Sequence, residues 1–211
     1  MNYTQLVSAI CNYAETIEQS FVDNIPNFVN IAEERIYNSV QLPAIRRNVL
    51  SSTVSGLKYL QLPSDYLATF SFAVFDSTGD QHFLIDKDVN FIREAYPSPT
   101  SQGMPKYFGQ FSDTTFILGP TPDAVYQVEL HEYYYPESIV TAGTTWVGDH
   151  FESVLLYGSL REAAVYQKGE PDVIANYEQK YQESLALLKL MGDGKERRTA
   201  YRDGQIRLPV S

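Results

Sequence analysis

Two stretches with a period of 3.6 residues, one at each end of the chain, enclose about a hundred residues in which that period is lost. In the first stretch Tyr3, Leu6, Ile10, Tyr13, Ala14 and Ile17 recur at three- and four-residue steps and predict a helix with one apolar face, with Thr4 as its N-cap. After a break at Gln19 to Asn24, Pro26 suits the first turn of a second helix, where its missing N–H costs nothing. Ile25, Phe28, Val29, Ala32, Ile36 and Val40 form that helix's stripe, and Leu42-Pro43 ends it. The period returns near Gly148. Asp149 is placed to cap a helix carrying Phe151, Leu155, Leu156, Leu160, Ala163 and Ala164, stopped at Gly169. Glu170-Pro171-Asp172 opens another, with Ile174, Tyr177, Tyr181, Leu185 and Leu188 on one face and Gly192 and Gly194 as its stop.

The interior reads as strands. Val49 to Val54 and Lys58 to Leu62 flank Ser55-Gly56 and predict a hairpin. Leu67 to Asp76, Gln81 to Ile85, Lys106 to Phe111, Thr115 to Leu118 and Val125 to Tyr135 follow, separated by turns rich in Pro, Gly, Ser and Asp. A short helix carries Val89, Phe91, Ile92 and Ala95 and ends before Pro97.

Neither terminal helix pair buries its apolar face alone. The economical fold is therefore α+β: one four-helix bundle built from the two N-terminal and two C-terminal helices, with an inserted antiparallel β-rich platform. This assigns 1–42 and 147–192 to the bundle, 43–146 to the insert and 193–211 to an extended C-terminal arm. The arm sets Lys195, Arg197, Arg198, Arg202 and Arg207 against Glu196 and Asp203, has few apolar residues, and reads as a basic segment that orders on a partner.

Composition narrows the function. The 26 acidic against 16 basic residues give a net charge of −10, which disfavours gripping a phosphate backbone and suits both plain solubility and a channel that DNA slides through. The 16 tyrosines and 11 phenylalanines exceed what a core needs and point to protein contacts. No run approaches the roughly 18–20 apolar residues that cross a bilayer, and no signal peptide is evident, so a soluble protein, intracellular at synthesis, is expected.

Reactive constellations are missing from the pattern. His82, His131 and His150 lie far apart without ligand spacing, and Cys11 is single, so no metal site or disulfide is expected. Ser153, Ser159 and Ser184 lack a nucleophile elbow. Gly192-Asp193-Gly194-Lys195 fails the phosphate-loop spacing, and Asp76 to Asp80 lacks the alternating acids of a calcium loop. Glu33 and Glu34 point about 100° apart on a helix and do not work as a pair. Arg35, or another base, is placed to pair with a carboxylate between helices, and Glu162 stands among apolar neighbours. No catalytic residue and no cofactor is expected. An unfamiliar hydrolase would need Glu33 or Glu162 to meet a second acid or a histidine.

Several segments, in order, resemble the head-to-tail adaptor (connector) proteins of short-tailed bacteriophages. They are Ile25-Pro26-Asn27-Phe28-Val29 with Ala32-Glu33-Glu34-Arg35-Ile36-Tyr37, Tyr59-Leu60-Gln61-Leu62-Pro63-Ser64-Asp65-Tyr66, Gly103-Met104-Pro105-Lys106-Tyr107-Phe108, Leu118-Gly119-Pro120-Thr121-Pro122-Asp123 and Lys168-Gly169-Glu170-Pro171-Asp172, with the likeness running into Tyr201-Arg202-Asp203-Gly204. The resemblance implies a virion protein without catalysis, in a ring of typically twelve copies docked under the portal and above the tail nozzle, at the head–tail joint. DNA would pass through such a ring without specific binding, and fibres or other tail proteins are further partners. It makes Arg197, Arg198, Tyr201, Arg202 and Arg207 the candidates for gripping the portal. Glu33, Arg35, Tyr133 and Tyr135 are the candidates for contacts between subunits. The alternative is a tail-associated receptor- or glycan-binding module, for which Tyr133-Tyr134-Tyr135 on a strand would supply rings.

Overall fold

A computed structural model describes residues 1–98 and 100–203, with side chains up to 192. The elements run α1 (Tyr3–Tyr13), α2 (Gln19–Val22), α3 (Ile25–Ser39), a 3₁₀ turn (Pro43–Ile45), β1 (Arg46–Ser52), β2 (Tyr59–Gln61), β3 (Tyr66–Phe75), β4 (Gln81–Phe83), β5 (Ile85–Asp86), α4 (Val89–Ala95), β6 (Tyr107–Ser112), β7 (Thr115–Gly119), β8 (Gln127–Tyr134), α5 (Ile139–Ala142), α6 (Trp146–His150), α7 (Glu152–Tyr166) and α8 (Pro171–Asp203). They form two compact units, Met1–Ala44 with Pro136–Ser211, and Ile45–Tyr135. The chain is mixed α+β. The boundaries differ from the expected 43 and 146, because residues 136–146 carry α5 and the approach to α6 and belong with the helices.

In the helical unit α7 is the centre, with α1, α3, α6 and α8 packed against it. Its buried set, Val154, Leu155, Gly158, Ser159, Leu160, Ala163 and Ala164, therefore wraps round the helix instead of following one stripe, as expected for a helix covered on several sides. Gly158 makes the packing close: a Cβ there would meet the Ala32 Cβ at 3.0 Å and the Tyr181 ring at 3.2 Å. The α3 stripe is buried as the period requires (Ile25, Phe28, Val29, Ala32, Ile36), each large side chain contributing roughly 1.5–3 kcal/mol. Phe21 of α2, Phe28 of α3 and Tyr166 of α7 pack as a ring cluster with centroids 5.3–6.2 Å apart.

Several helix ends differ from expectation. Asn2, not Thr4, caps α1, in a reciprocal pair with Gln5 (3.0 and 2.9 Å). The α1 stripe stops with the helix, so Ile17 lies beyond it and is exposed. Asp149 lies inside α6, which Thr145 caps, and α7 begins only at Glu152. Lys168, at φ +54°, takes the left-handed position after α7 that Gly169 was expected to hold. Gly192 and Gly194 do not stop α8. The helix continues to Asp203, and Gly192 sits where a Cβ would fall 2.8 Å from the Gln41 carbonyl oxygen, so its role is close approach.

The other unit is a β-sandwich. One sheet has the order β1-β8-β3-β4 and is antiparallel throughout; the second has the order β2-β7-β6-β5, with β5 parallel to β6. Phe72 and Val74 of β3 and Val128 and Leu130 of β8 meet Leu60, Phe108, Phe116 and Leu118 of the second sheet in one core. Phe72, Phe108 and Phe116 bridge it with centroids 5.0–5.6 Å apart. The predicted hairpin over Val49 to Leu62 does not form: β1 pairs with β8 and β2 with β7, in different sheets. The chain changes sheets again at the buried Leu84, whose N–H donates to Phe72 (2.8 Å), while the Ile85 N–H donates to Lys106 (3.0 Å).

Candidate assembly surfaces and the charge clusters behind them

Burial sorts the four predicted subunit-contact residues into two kinds. Glu33 is 4% exposed and Tyr133 5%, so neither presents itself to a neighbour. Arg35 is half-buried and Tyr135 is 38% exposed.

Glu33 holds α5. Its carboxylate accepts from the Ile139 N–H (3.0 Å), one of the donors that a helix N-terminus leaves without an internal partner. Ser138, which caps the same helix, donates to the Asn30 Oδ1 (2.8 Å). Burial pushes the Glu33 carboxyl above the usual glutamate range, against the lowering effect of the Ser138 hydroxyl and the Ile139 N–H at the carboxylate. Glu33 therefore has a structural task, and among the described residues no second acid shifts or bonds its carboxyl.

Arg35 on α3 donates through Nη2 to Glu178 of α8 (3.0 and 3.1 Å) and through Nη1 to Glu162 of α7 (3.5 Å), with its guanidinium 4.5 Å from the Tyr181 ring centroid. Arg161 of α7 reaches the same two carboxylates, at 2.7 Å to Glu162 and 3.3 Å to Glu178. Two arginines and two glutamates thus join three helices in a neutral square. Sequence reasoning found Arg35 and Glu162; it missed Arg161 and Glu178, which become partners only once α7 and α8 pack.

The sandwich holds a different cluster. Arg47 of β1 stands directly opposite Glu132 of β8 and donates to it through Nε (3.0 Å) and Nη2 (2.8 Å). It also donates to Asp65, just before β3, through Nη1 (2.6 Å) and Nη2 (2.5 Å). Glu132 is 0% exposed, and its Oε2 has no partner among the described residues. Burial pushes Glu132 upward, while the hydrogen bonds from Arg47 hold Asp65 down. No signal in the sequence marked these three, because the β1–β8 register joins residues 85 positions apart.

Beside it, the Arg46 guanidinium covers Phe70 at 4.0 Å and donates to the Tyr133 hydroxyl (2.7 Å), and His131 packs edge-on to Phe70 at 5.0 Å. The histidines stay apart. His82 pairs with Asp76 (2.9 Å) in the β3–β4 turn, and His150 stacks on Trp146 at 4.8 Å. Among the described residues no group of three acids, histidines or cysteines could hold a metal ion, and no helix is long and apolar enough to cross a membrane.

Arg197, Arg198, Tyr201 and Arg202 fall on the helical backbone of α8, which replaces the expected unstructured start of the arm; their side chains, and Arg207 altogether, lie outside the described residues.

The model of a protein family described as SU10 adaptor protein matches residues 1–208, spanning both units. No curated protein matches the chain. With a match that covers almost every residue, the chain belongs to the SU10 adaptor protein family and is a phage adaptor protein, a structural component of the virion.

Proposed function

We propose that this adaptor is a ring subunit of the head-to-tail joint, set between the portal and the tail nozzle, with about twelve copies surrounding the channel through which DNA leaves. The family match over residues 1–208 carries the reading. In it α1, α3, α7 and α8 act as one stiff four-helix bundle that supplies the lateral contacts, and the neutral square of Arg35, Arg161, Glu162 and Glu178 fixes the register of three of them. The sandwich is the platform turned to the nozzle or outward. The net charge of −10 lets DNA pass without specific binding.

The segment from Lys195 onward is the portal grip, with Arg197, Arg198, Tyr201, Arg202 and Arg207 meeting carboxylates through charge-assisted hydrogen bonds. The isolated chain is monomeric or weakly associated, and the ring closes on the portal. A glycan-binding role has less support: Arg46 already covers one face of Phe70, and Tyr133 is buried.

Deleting residues 195–211 tests the grip. The truncated chain is expected to keep its thermal transition and lose capture by immobilised portal. Undiminished capture overturns the arm model, and negative-stain images of chain plus portal without a ring overturn the ring.

A further inference from the structure

The sheet β1-β8-β3-β4 ends in two unlike free edges, β1 and β4. Its register carries one row of residues across all four strands. Leu50 of β1 stands opposite Glu129 of β8, Glu129 opposite Ala73 of β3, and Ala73 opposite Phe83 of β4. Residues directly opposite one another share a face of the sheet. Phe72, Val74, Val128 and Leu130 turn to the sandwich core, so this row lies on the other face. Its two ends are apolar and open: Leu50 is 60% exposed and Phe83 65%.

The backbone at both ends is open too. In an antiparallel ladder, pairs that exchange hydrogen bonds alternate with pairs that turn their N–H and C=O away. The Thr53 N–H donates to the Tyr126 carbonyl (2.9 Å), which continues the β1–β8 register. Val49 and Ser51 therefore bond towards β8, while Leu50 and Ser52 turn their backbone groups to the free edge. On the far side the Leu84 N–H donates to Phe72 (2.8 Å) and the Asp76 N–H to Asp80 (3.0 Å), in register with β3–β4. His82 therefore bonds towards β3, while Gln81 and Phe83 turn outward. Among the described residues no backbone hydrogen bond reaches those outward groups of Leu50, Ser52, Gln81 or Phe83.

The two edges fit each other. Strand direction alternates across this sheet, so β4 of one copy beside β1 of another continues the alternation. Leu50 opposite Phe83 then exchanges both backbone hydrogen bonds with it, both side chains lie on one face, and Ser52 falls opposite Gln81. Neither Asn48 to Ser52 nor Gln81 to Phe83 carries the lysine, proline or bulge that blunts an exposed edge. The edges cannot meet within one chain, because three strand spacings, roughly 14 Å, separate them. Two β1 edges could pair about a two-fold axis, but that contact stops at two copies and leaves Phe83 uncovered. Unlike edges repeat from copy to copy and close into a ring when their rotation allows.

We infer that β4 of one copy adds to β1 of the next, joining the sheets of neighbouring copies through the pairs Leu50–Phe83 and Ser52–Gln81. This seam rests on the ring reading and adds a sandwich contact to the lateral contact of the helices. With three residues on the β4 side a single seam is weak, which suits a chain that closes its ring on the portal.

The test is directional crosslinking. In a Cys11→Ser background, Ser52→Cys and Gln81→Cys are combined in the full chain, leaving Leu50 and Phe83 in place. The protein is mixed with its portal and treated with a short thiol–thiol crosslinker. The expected result is a ladder of linked species rising one chain at a time to the full ring, while either cysteine alone stays unlinked. Linked dimers from Ser52→Cys alone overturn the seam in favour of paired β1 edges. Rings in negative stain without the ladder overturn the seam and leave the ring standing. Absence of rings for the unmodified chain overturns the ring itself, and the seam with it.

A charge exchange guards against cysteines placed at a poor angle. Leu50→Lys with Phe83→Lys sets like charges opposite each other at exposed positions. It is expected to weaken ring formation by about tenfold or more, with an unchanged thermal transition. Leu50→Lys with Phe83→Glu is expected to recover most of that loss, because the two positions face each other only across the seam. Undiminished rings from the first variant, or no recovery by the second, overturn the contact.

Discussion

The two units lock their strands and helices with charge, but with different arithmetic. The helical unit sets two arginines against two glutamates, every member reaching two opposite charges, at positions 12–34% exposed. The sandwich sets one arginine against two acids, one of them 0% exposed with an oxygen left without a partner among the described residues. The first arrangement is redundant, since either arginine can go and both carboxylates keep a cation. The second has a single point of failure. A buried charge is tolerated through its partner, and removing that partner costs more than the pair itself contributes.

The largest expected effect follows directly. Arg47→Met leaves the Glu132 carboxyl buried between β1 and β8 without its cation, so that it must stay charged and unpaired or take up a proton, and is expected to destabilise the protein by about 3–5 kcal/mol. Denaturant unfolding measures it. A loss below about 1 kcal/mol would mean that water reaches Glu132, and the contrast between the units would collapse. The double change Arg47→Met with Glu132→Met is expected to recover most of the loss, because it removes the buried charge together with its partner.

An intermediate effect separates the two acids by the sign of their response to pH. Burial raises Glu132 above its ordinary value, so the folded state binds its proton more readily than the unfolded chain does. Its ionisation therefore costs stability at neutral pH, and that cost is relieved as pH falls through the raised value towards the ordinary glutamate value. Asp65 is lowered chiefly by Arg47, so its contribution is present above the ordinary aspartate value and is lost as pH falls through the lowered one. Melts of Glu132→Gln and Asp65→Asn at stepped pH are expected to diverge. Relative to wild type, Glu132→Gln fares best near pH 7 and falls behind as pH drops towards the ordinary glutamate value. Asp65→Asn is at its worst near neutrality and closes on wild type only below about pH 4. Parallel curves for the two variants would refute the assignment of opposite shifts.

The same contrast shows what the sequence displays and what it conceals. The α3 stripe from Ile25 to Ile36 is visible because burial on one helix face imposes a period, and Arg35 and Glu162 are visible because a charge on an apolar seam breaks it. The full-length resemblance to phage adaptors was legible from short segments in order, and the family match agrees with it. The sandwich was less legible. Val49 to Leu62 carries every local mark of a hairpin, yet the partners of its two strands lie more than fifty residues further on, in different sheets. Local pattern fixes which residues face a core and says little about which strand supplies the next hydrogen bond. Gly192 misled for a related reason. A glycine late in a helix pattern reads as a stop, whereas here the Gln41 carbonyl passes where a side chain would begin. The Arg47–Asp65–Glu132 cluster combines both problems, being assembled by register from three separate segments.

The smallest expected effect is the sharpest check on redundancy. Arg35→Met removes one corner of the helical square, but Arg161 stays within 2.7 Å of Glu162 and 3.3 Å of Glu178, and the methionine can still cover part of the Tyr181 ring. The members are partly exposed, so the loss is expected to be about 1 kcal/mol or less. Arg161→Met is expected to behave alike. The two together leave Glu162, only 12% exposed, without a cation, and the double variant should lose more than the sum of the singles. Simple additivity would show that each arginine acts alone, and the helical unit would then be no better insured than the sandwich.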